Sequence, residues 1–143
     1  MATSNAATNY LERRILDFIF KNNALSFASP GDSLYVGLAT AVSAAETGSL
    51  TEANFTNYVR KQVTAANWTT IGADSTDTQT AKNAANIEFP ASGGTNNTIS
   101  HVFVADASTG GNILFVGALD VSKLIADGDI FRINTGNLTI ELK

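Results

Sequence analysis

The feature that most restricts this chain is a pair of apolar runs, residues 99–105 and 112–118, separated by Asp106-Ala-Ser-Thr-Gly-Gly111. That spacing and composition predict a β-hairpin closed by a glycine turn. Downstream, Asp127-Gly128-Asp129 leads into Ile130 to Ile133, then the turn Asn134-Thr-Gly136. After it Leu138, Ile140 and Leu142 alternate with Thr139, Glu141 and Lys143. Period two on both sides of a turn predicts a second hairpin.

Earlier segments give shorter strands. After Pro30-Gly31-Asp32, residues 34–39 (Leu-Tyr-Val-Gly-Leu-Ala) are β-rich, and Val59, Lys61 and Val63 alternate with Arg60, Gln62 and Thr64 on the way to Trp68. Residues 85–89 form a further strand stopped by Pro90. Between these, residues 41–49 and 91–98 read as loops, 51–58 has room for one helical turn, and 69–83 is too polar to be core. Six to eight short strands with frequent turn signals predict a mainly β chain, an antiparallel β-sandwich or barrel with one N-terminal α-helix.

That helix is predicted over residues 9–22. Leu11, Ile15, Leu16, Phe18 and Ile19 recur at near-helical spacing, with Glu12, Arg13, Asp17 and Lys21 on the other side. Thr8 or Asn9 can cap it; with Asn9 as cap, Glu12 completes a capping box, and Asn22-Asn23 supplies a left-handed stop. Phe18 and Phe20 cannot both face one core, so the helix presents apolar surface on two sides, for a second contact within the fold or with a partner. A length of 143 residues suits one domain, divided into a flexible arm (1–8), the helix (9–22) and a β domain (34–143).

Composition closes several routes to function. With no cysteine, disulfides, thiolate metal sites and cysteine nucleophiles are excluded, while the redox compartment stays open. A net charge of −4 with nine basic residues argues against nucleic acid as a partner. No run is long and apolar enough for a membrane span, and the N-terminus lacks the pattern of a signal peptide. Thr, Asn and Ser make up 42 of the 143 residues, giving a neutral polar surface that suits close packing against copies of the same chain or a solvated, loop-rich monomer.

No catalytic, metal or cofactor residues are assigned. His101 is the only histidine and is expected to be structural; a hydrolase or lyase using it with Asp106 or Asp120 is the remote alternative. Asp127-Gly128-Asp129 lacks the ligand series of a calcium loop, and Gly93-Gly94 and Gly110-Gly111 lack the spacing of a phosphate loop, so all read as turns. Arg60 and Lys61 are expected on a solvated face or in an intersubunit ion pair. Tyr35, Tyr58 and Trp68 could stack on sugars, but scattered aromatics are more often core or interface. The Asn-x-Thr triplets at Asn54, Asn67, Asn96 and Asn137 are expected by chance in so Asn- and Thr-rich a chain.

The ordered segments Asn9-Tyr-Leu-Glu, Leu34-Tyr-Val-Gly-Leu-Ala-Thr, Tyr58-Val-Arg-Lys-Gln-Val-Thr, Ile87-Glu-Phe-Pro and Ile99-Ser-His-Val-Phe-Val-Ala-Asp-Ala-Ser-Thr-Gly-Gly, with Gly128-Asp-Ile-Phe-Arg-Ile and Leu138-Thr-Ile-Glu-Leu, span nearly the whole chain. In that order they resemble a family of small tailed-bacteriophage virion proteins, often labelled tail fibre proteins, to which capsid cement or decoration domains are similar. The resemblance implies a non-enzymatic virion protein made in the host cytoplasm. The leading expectation is a capsid cement protein on the capsid exterior, a homotrimer bound to the major capsid protein lattice. The alternative is a tail fibre or adhesin module that binds a host surface receptor. Residues expected to contact a neighbouring subunit or the capsid are Thr3, Asn5, Tyr10, Phe18, Phe20, Arg60, Lys61 and Trp68, with loops 41–49, 71–83 and 91–98.

Overall fold

The glycine turn joins two adjacent strands of one sheet. In the structure, a computed structural model describing residues 5–25, 34–69 and 79–142, the elements in chain order are β1 (Ala6–Ala7), α1 (Asn9–Lys21), β2 (Leu34–Ala44), β3 (Ser49–Glu52), β4 (Lys61–Val63), a 3-10 turn (Ala65–Asn67), β5 (Gln79–Lys82), β6 (Ile87–Glu88), β7 (Asn97–Ala105), β8 (Ile113–Ile125), β9 (Arg132–Ile133) and β10 (Thr139–Leu142). The main sheet is antiparallel in the order β1-β8-β7-β2-β3, with β4 also on β2, and it curls into a half-barrel. Two ribbons, β6–β9 and β5–β10, accompany it. The chain is mainly β with one helix at its N-terminus.

The sheet centre follows from the longest apolar run. In β7, Ile99 and Val102 to Ala105 are all buried, so both faces of this strand are covered. One face, with Val36, Leu38 and Val102, packs on Phe55, Phe89, Phe131 and Ile133; the other, with Phe103, Ala105 and Val116, packs on Ala39 and Ala45. A strand covered on both sides has no reason to alternate, and the sequence of β7 does not. Aromatic rings link the irregular segments of the larger cluster: Phe55 meets Tyr58 edge-on at 5.3 Å, Tyr58 stacks on Phe89 at 6.1 Å, and Phe89 meets Phe131 edge-on at 6.0 Å.

Several local expectations change once tertiary pairing is visible. Residues 41–49 are not a loop, because β2 continues to Ala44 and turns back into β3; bulges at Ala39/Ala41 and Val42/Ala44 break the alternation that marks a strand in sequence. The helical turn expected within 51–58 is absent, since Thr51 and Glu52 belong to β3. The strand at 59–65 shortens to Lys61–Val63, and that at 85–89 to Ile87–Glu88.

The second hairpin does not form. β9 pairs with β6 and β10 with β5, while the turn between β9 and β10 is filled by a side chain from far upstream. Asn83, at the end of the segment judged too polar for the core, is buried there. Its amide donates to Ala85 O at 2.8 Å and Asn134 O at 3.0 Å, and its carbonyl accepts from Leu138 N at 2.9 Å. Satisfying these backbone groups holds the two strands apart and directs each to another partner.

Candidate functional site

The helix begins where the chain leaves the sheet. Ala6 and Ala7 pair with Val116 and Phe115 of β8, and Asn5 Oδ1 accepts Ala118 N at 2.6 Å. Residues 5–8 of the expected arm therefore lie along the chain's own sheet; residues 1–4, Thr3 among them, lie outside the described residues. Thr8 caps α1: its hydroxyl accepts Leu11 N at 3.4 Å and donates to Ile113 O at 2.6 Å, and its amide donates to Leu114 O at 2.9 Å. With the cap at Thr8 rather than Asn9, Glu12 is not placed for a capping box. Asn22 ends the helix at φ 55°, in the left-handed region.

Only the first turn is held. Leu11 is the single buried residue of α1. Beyond it, large apolar side chains face outward: Ile15 is 37%, Leu16 56%, Phe18 54%, Ile19 61% and Phe20 76% exposed. At 100° per residue they spread over roughly 200° of the helix circumference, about twice the stripe that one core contact needs. The opposite side carries Tyr10, Arg13, Arg14, Asp17 and Lys21. There Asp17 lies 3.8 Å from Arg13 and 3.9 Å from Arg14, and the Arg14 guanidinium sits 5.3 Å from the Tyr10 ring centre.

A second exposed apolar region lies along the far half of β8. Between Ala118, paired with His101, and Lys123, paired with Ile99, β8 has four residues opposite Ser100 alone, so the strand bulges outward. β1 covers only Phe115 and Val116 of its outer edge, and no strand among the described residues pairs the edge beyond. Val121 is 68%, Leu124 62% and nearby Ile130 50% exposed. Two hollows of about 580 and 1150 Å³ lie along β8 and share Ala118, Leu119, Ile133 and Asn137 in their linings; the smaller reaches Asn5 to Ala7, and the larger, lined by Val121, Leu124 and Ile130, is a groove between the far half of β8 and the β9–β10 segment.

The other residues singled out in the sequence lie elsewhere. The Arg60 side chain is 5% exposed. It holds the Glu52 carboxylate with two bonds of 2.8 Å, donates to Ala107 O at 2.7 Å and Gly110 O at 2.8 Å, and lies 5.0 Å above the Phe103 ring. The bond to Glu52 raises the Arg60 pKa. This ion pair is within the chain, and it ties the β7–β8 turn to β3. Tyr58 joins it, donating to Glu52 at 2.8 Å and accepting Leu38 N at 2.9 Å, and burial raises the phenol's pKa. Trp68 packs against the larger core cluster, and Lys61 is half-buried on β4. Tyr58 and Trp68 thus contribute to packing rather than to an exposed sugar platform, while Tyr35 is half-buried on β2. Sequence reasoning picked Phe18 and Phe20 but missed Ile15, Leu16 and Ile19 as surface; the signal was present in the width of the apolar arc.

The amino-acid sequence has a match among known families. The family model described as Podophage GP4 fiber I protein gp80 matches residues 6–141. The chain belongs to this family. It is therefore a phage virion structural protein of the fibre type. No curated protein matches the chain. The match begins at β1 and runs into β10, so it covers the root of the helix, the Arg60 clamp and the groove alike. Within this fibre-family fold, His101 Nδ1 is 2.8 Å from Ser100 Oγ, and that hydroxyl also lies 3.0 Å from Thr40 O. Burial lowers the His101 pKa. Asp106, the carboxylate once paired with it in the hydrolase alternative, instead accepts from the backbone and side chain of Asn112 at 2.7 and 2.8 Å. Among the described residues no three His, Asp or Glu side chains group as a metal site. Asp127-Gly128-Asp129 is a turn in which Asp129 Oδ2 accepts Ala126 N at 2.9 Å.

Proposed function

We propose that this chain is a non-enzymatic structural subunit of a phage fibre, held in the virion by contacts between its exposed apolar surfaces and neighbouring protein. One observation carries this reading: five large apolar side chains on α1 face outward, while Leu11 is the one residue of that helix the fold buries. Exposed apolar area of this kind marks an interaction surface. The fibre description of the family supports a fibre over the capsid cement role that was the leading expectation from sequence. Receptor binding is a further task that a fibre subunit can carry, and the neutral polar loops at residues 91–96 are available for it.

The decisive experiment is the copy number of the chain in purified virions relative to the major capsid protein, by quantitative mass spectrometry. A dozen or a few dozen copies supports the fibre assignment. Hundreds of copies, in a simple ratio to the capsid lattice, would replace it with the cement role.

A further inference from the structure

The apolar arc of α1 is too wide for a single flat contact, and its surroundings narrow the choice of partner. The five exposed side chains leave on the order of 500 Å² of apolar surface. The groove beside β8 adds on the order of 300 Å² from Val121, Leu124 and Ile130. Taken together at the roughly 60% apolar share of ordinary interfaces, this corresponds to about 1,300 Å² of total buried surface, within the range of specific protein pairs.

Two helices packed face to face would bury enough area but fit poorly. A two-helix seam occupies a narrow stripe, leaving much of a roughly 200° arc uncovered. It would also leave the groove empty. A groove supplies walls on both sides of an inserted helix. The groove carries Asp120 and Asp129 along its lining. Lys123 and Arg132 line it as well, and Arg132 is already paired with Glu88 at 2.5 Å. The helix has a formal charge of +1, from Glu12, Arg13, Arg14, Asp17 and Lys21, in a chain of net −4.

The two surfaces also lie apart within one copy. α1 is rooted at Ile113 and Leu114, beside the smaller hollow that Asn5 to Ala7 line, whereas the larger hollow, the groove proposed as acceptor, opens at Leu119–Ile125, further along the same strand. Each copy thus carries a helix rooted near one end of β8 and an acceptor groove near the other.

We propose that α1 of one copy seats in the groove beside β8 of the next, so that the chain assembles head to tail with itself. Such a contact is heterologous: it closes into a ring when the rotation between copies permits and otherwise extends as a filament. It refines the fibre reading by naming the partner and the two surfaces, and rests on that reading only for its place in the virion.

The test uses the full chain and two exposed-surface double variants, Ile19→Glu with Phe20→Glu on the helix and Val121→Asp with Leu124→Asp at the groove. Sedimentation velocity follows assembly over a concentration series, with circular dichroism melting to verify folding. The expected result is that wild type assembles, each variant alone weakens assembly at least about tenfold, and an equimolar mixture of the two restores dimers but nothing larger. In that mixture one intact helix still meets one intact groove. If the groove variant assembles like wild type while the helix variant does not, α1 pairs with itself and the proposal fails. A wild-type chain that stays monomeric at its highest soluble concentration also overturns it, while leaving the copy-number test of the fibre reading untouched. Should either charged variant melt early, Phe20→Ser and Leu124→Ser give the same mixing test with a smaller perturbation.

Discussion

Gly37 lies directly across the sheet from Phe103, and adding one methyl group there probes how the centre of the fold is locked. A Cβ at Gly37 would stand 2.2 Å from Phe103 Cζ and 2.6 and 2.7 Å from its two Cε atoms. None of these separations is tolerable, so the ring has to move. Its other surroundings resist: Phe103 is buried, and the Arg60 guanidinium sits 5.0 Å from its centre, itself fixed by Glu52 and two backbone carbonyls. Overpacking of this kind costs about 1–3 kcal/mol, and displacing the ring from a desolvated cation–π contact adds about 1 kcal/mol. Gly37→Ala is therefore expected to destabilise the chain by about 3 kcal/mol, a fall of about 9 °C in Tm for a domain of this size. Urea unfolding followed by Trp68 fluorescence measures the first figure and calorimetry the second. In a Phe103→Leu background the ring is gone and Gly37→Ala should cost less than about 1 kcal/mol, a coupling of about 2 kcal/mol. A Gly37→Ala chain within about 2 °C of wild type, or one with no coupling to Phe103→Leu, refutes the reasoning.

Four further outcomes follow from the same geometry. Arg60→Met removes a bidentate ion pair and both bonds to the β7–β8 turn; chemical denaturation should show a loss of about 3 kcal/mol, with faster amide hydrogen exchange at residues 107–111. Asn83→Ala leaves the backbone groups of Asn134 and Leu138 without their partner and should cost about 2–4 kcal/mol in the same assay. Thr8→Ala removes both the helix cap and the bond to Ile113 and should lower stability by about 1–2 kcal/mol, with loss of helical signal in circular dichroism. Tyr58 has a raised pKa because the folded chain buries its neutral phenol, so its contribution is fully present below the unfolded value of about 10 and declines as the pH rises above it. Stability measured from pH 8 to 12 should fall on that alkaline limb, and Tyr58→Phe should flatten it; an unchanged slope counts against the assignment.

Much of the fold was legible wherever a residue's conformation depends on near neighbours. α1 was readable in its period and caps, and Asn22 adopts the left-handed stop expected of an asparagine there. The β7–β8 hairpin was readable because its turn needs positive φ, which Gly110 and Gly111 supply at 58° and 69°. The candidate site was legible only in outline. The apolar excess on α1 could be counted, but whether the body of the fold would cover it could not, since that depends on where β1 fixes the helix root. The exposed edge of β8 gave no warning, because its bulge opposite Ser100 disrupts the period on which strand reading relies.

The amino-acid sequence by itself determined the mainly β class, the helix, the principal hairpin and the surplus of apolar surface, because each is set by local geometry or by counting. Tertiary structure alone decided that β9 and β10 pair with β6 and β5 rather than with each other, and that Arg60 is buried while the far edge of β8 stays open. These outcomes turn on partners tens of residues away. Backbone groups are satisfied by whichever free edge or buried side chain reaches them first in space, as Asn83 does at the β9–β10 turn, and no local pattern encodes that distance.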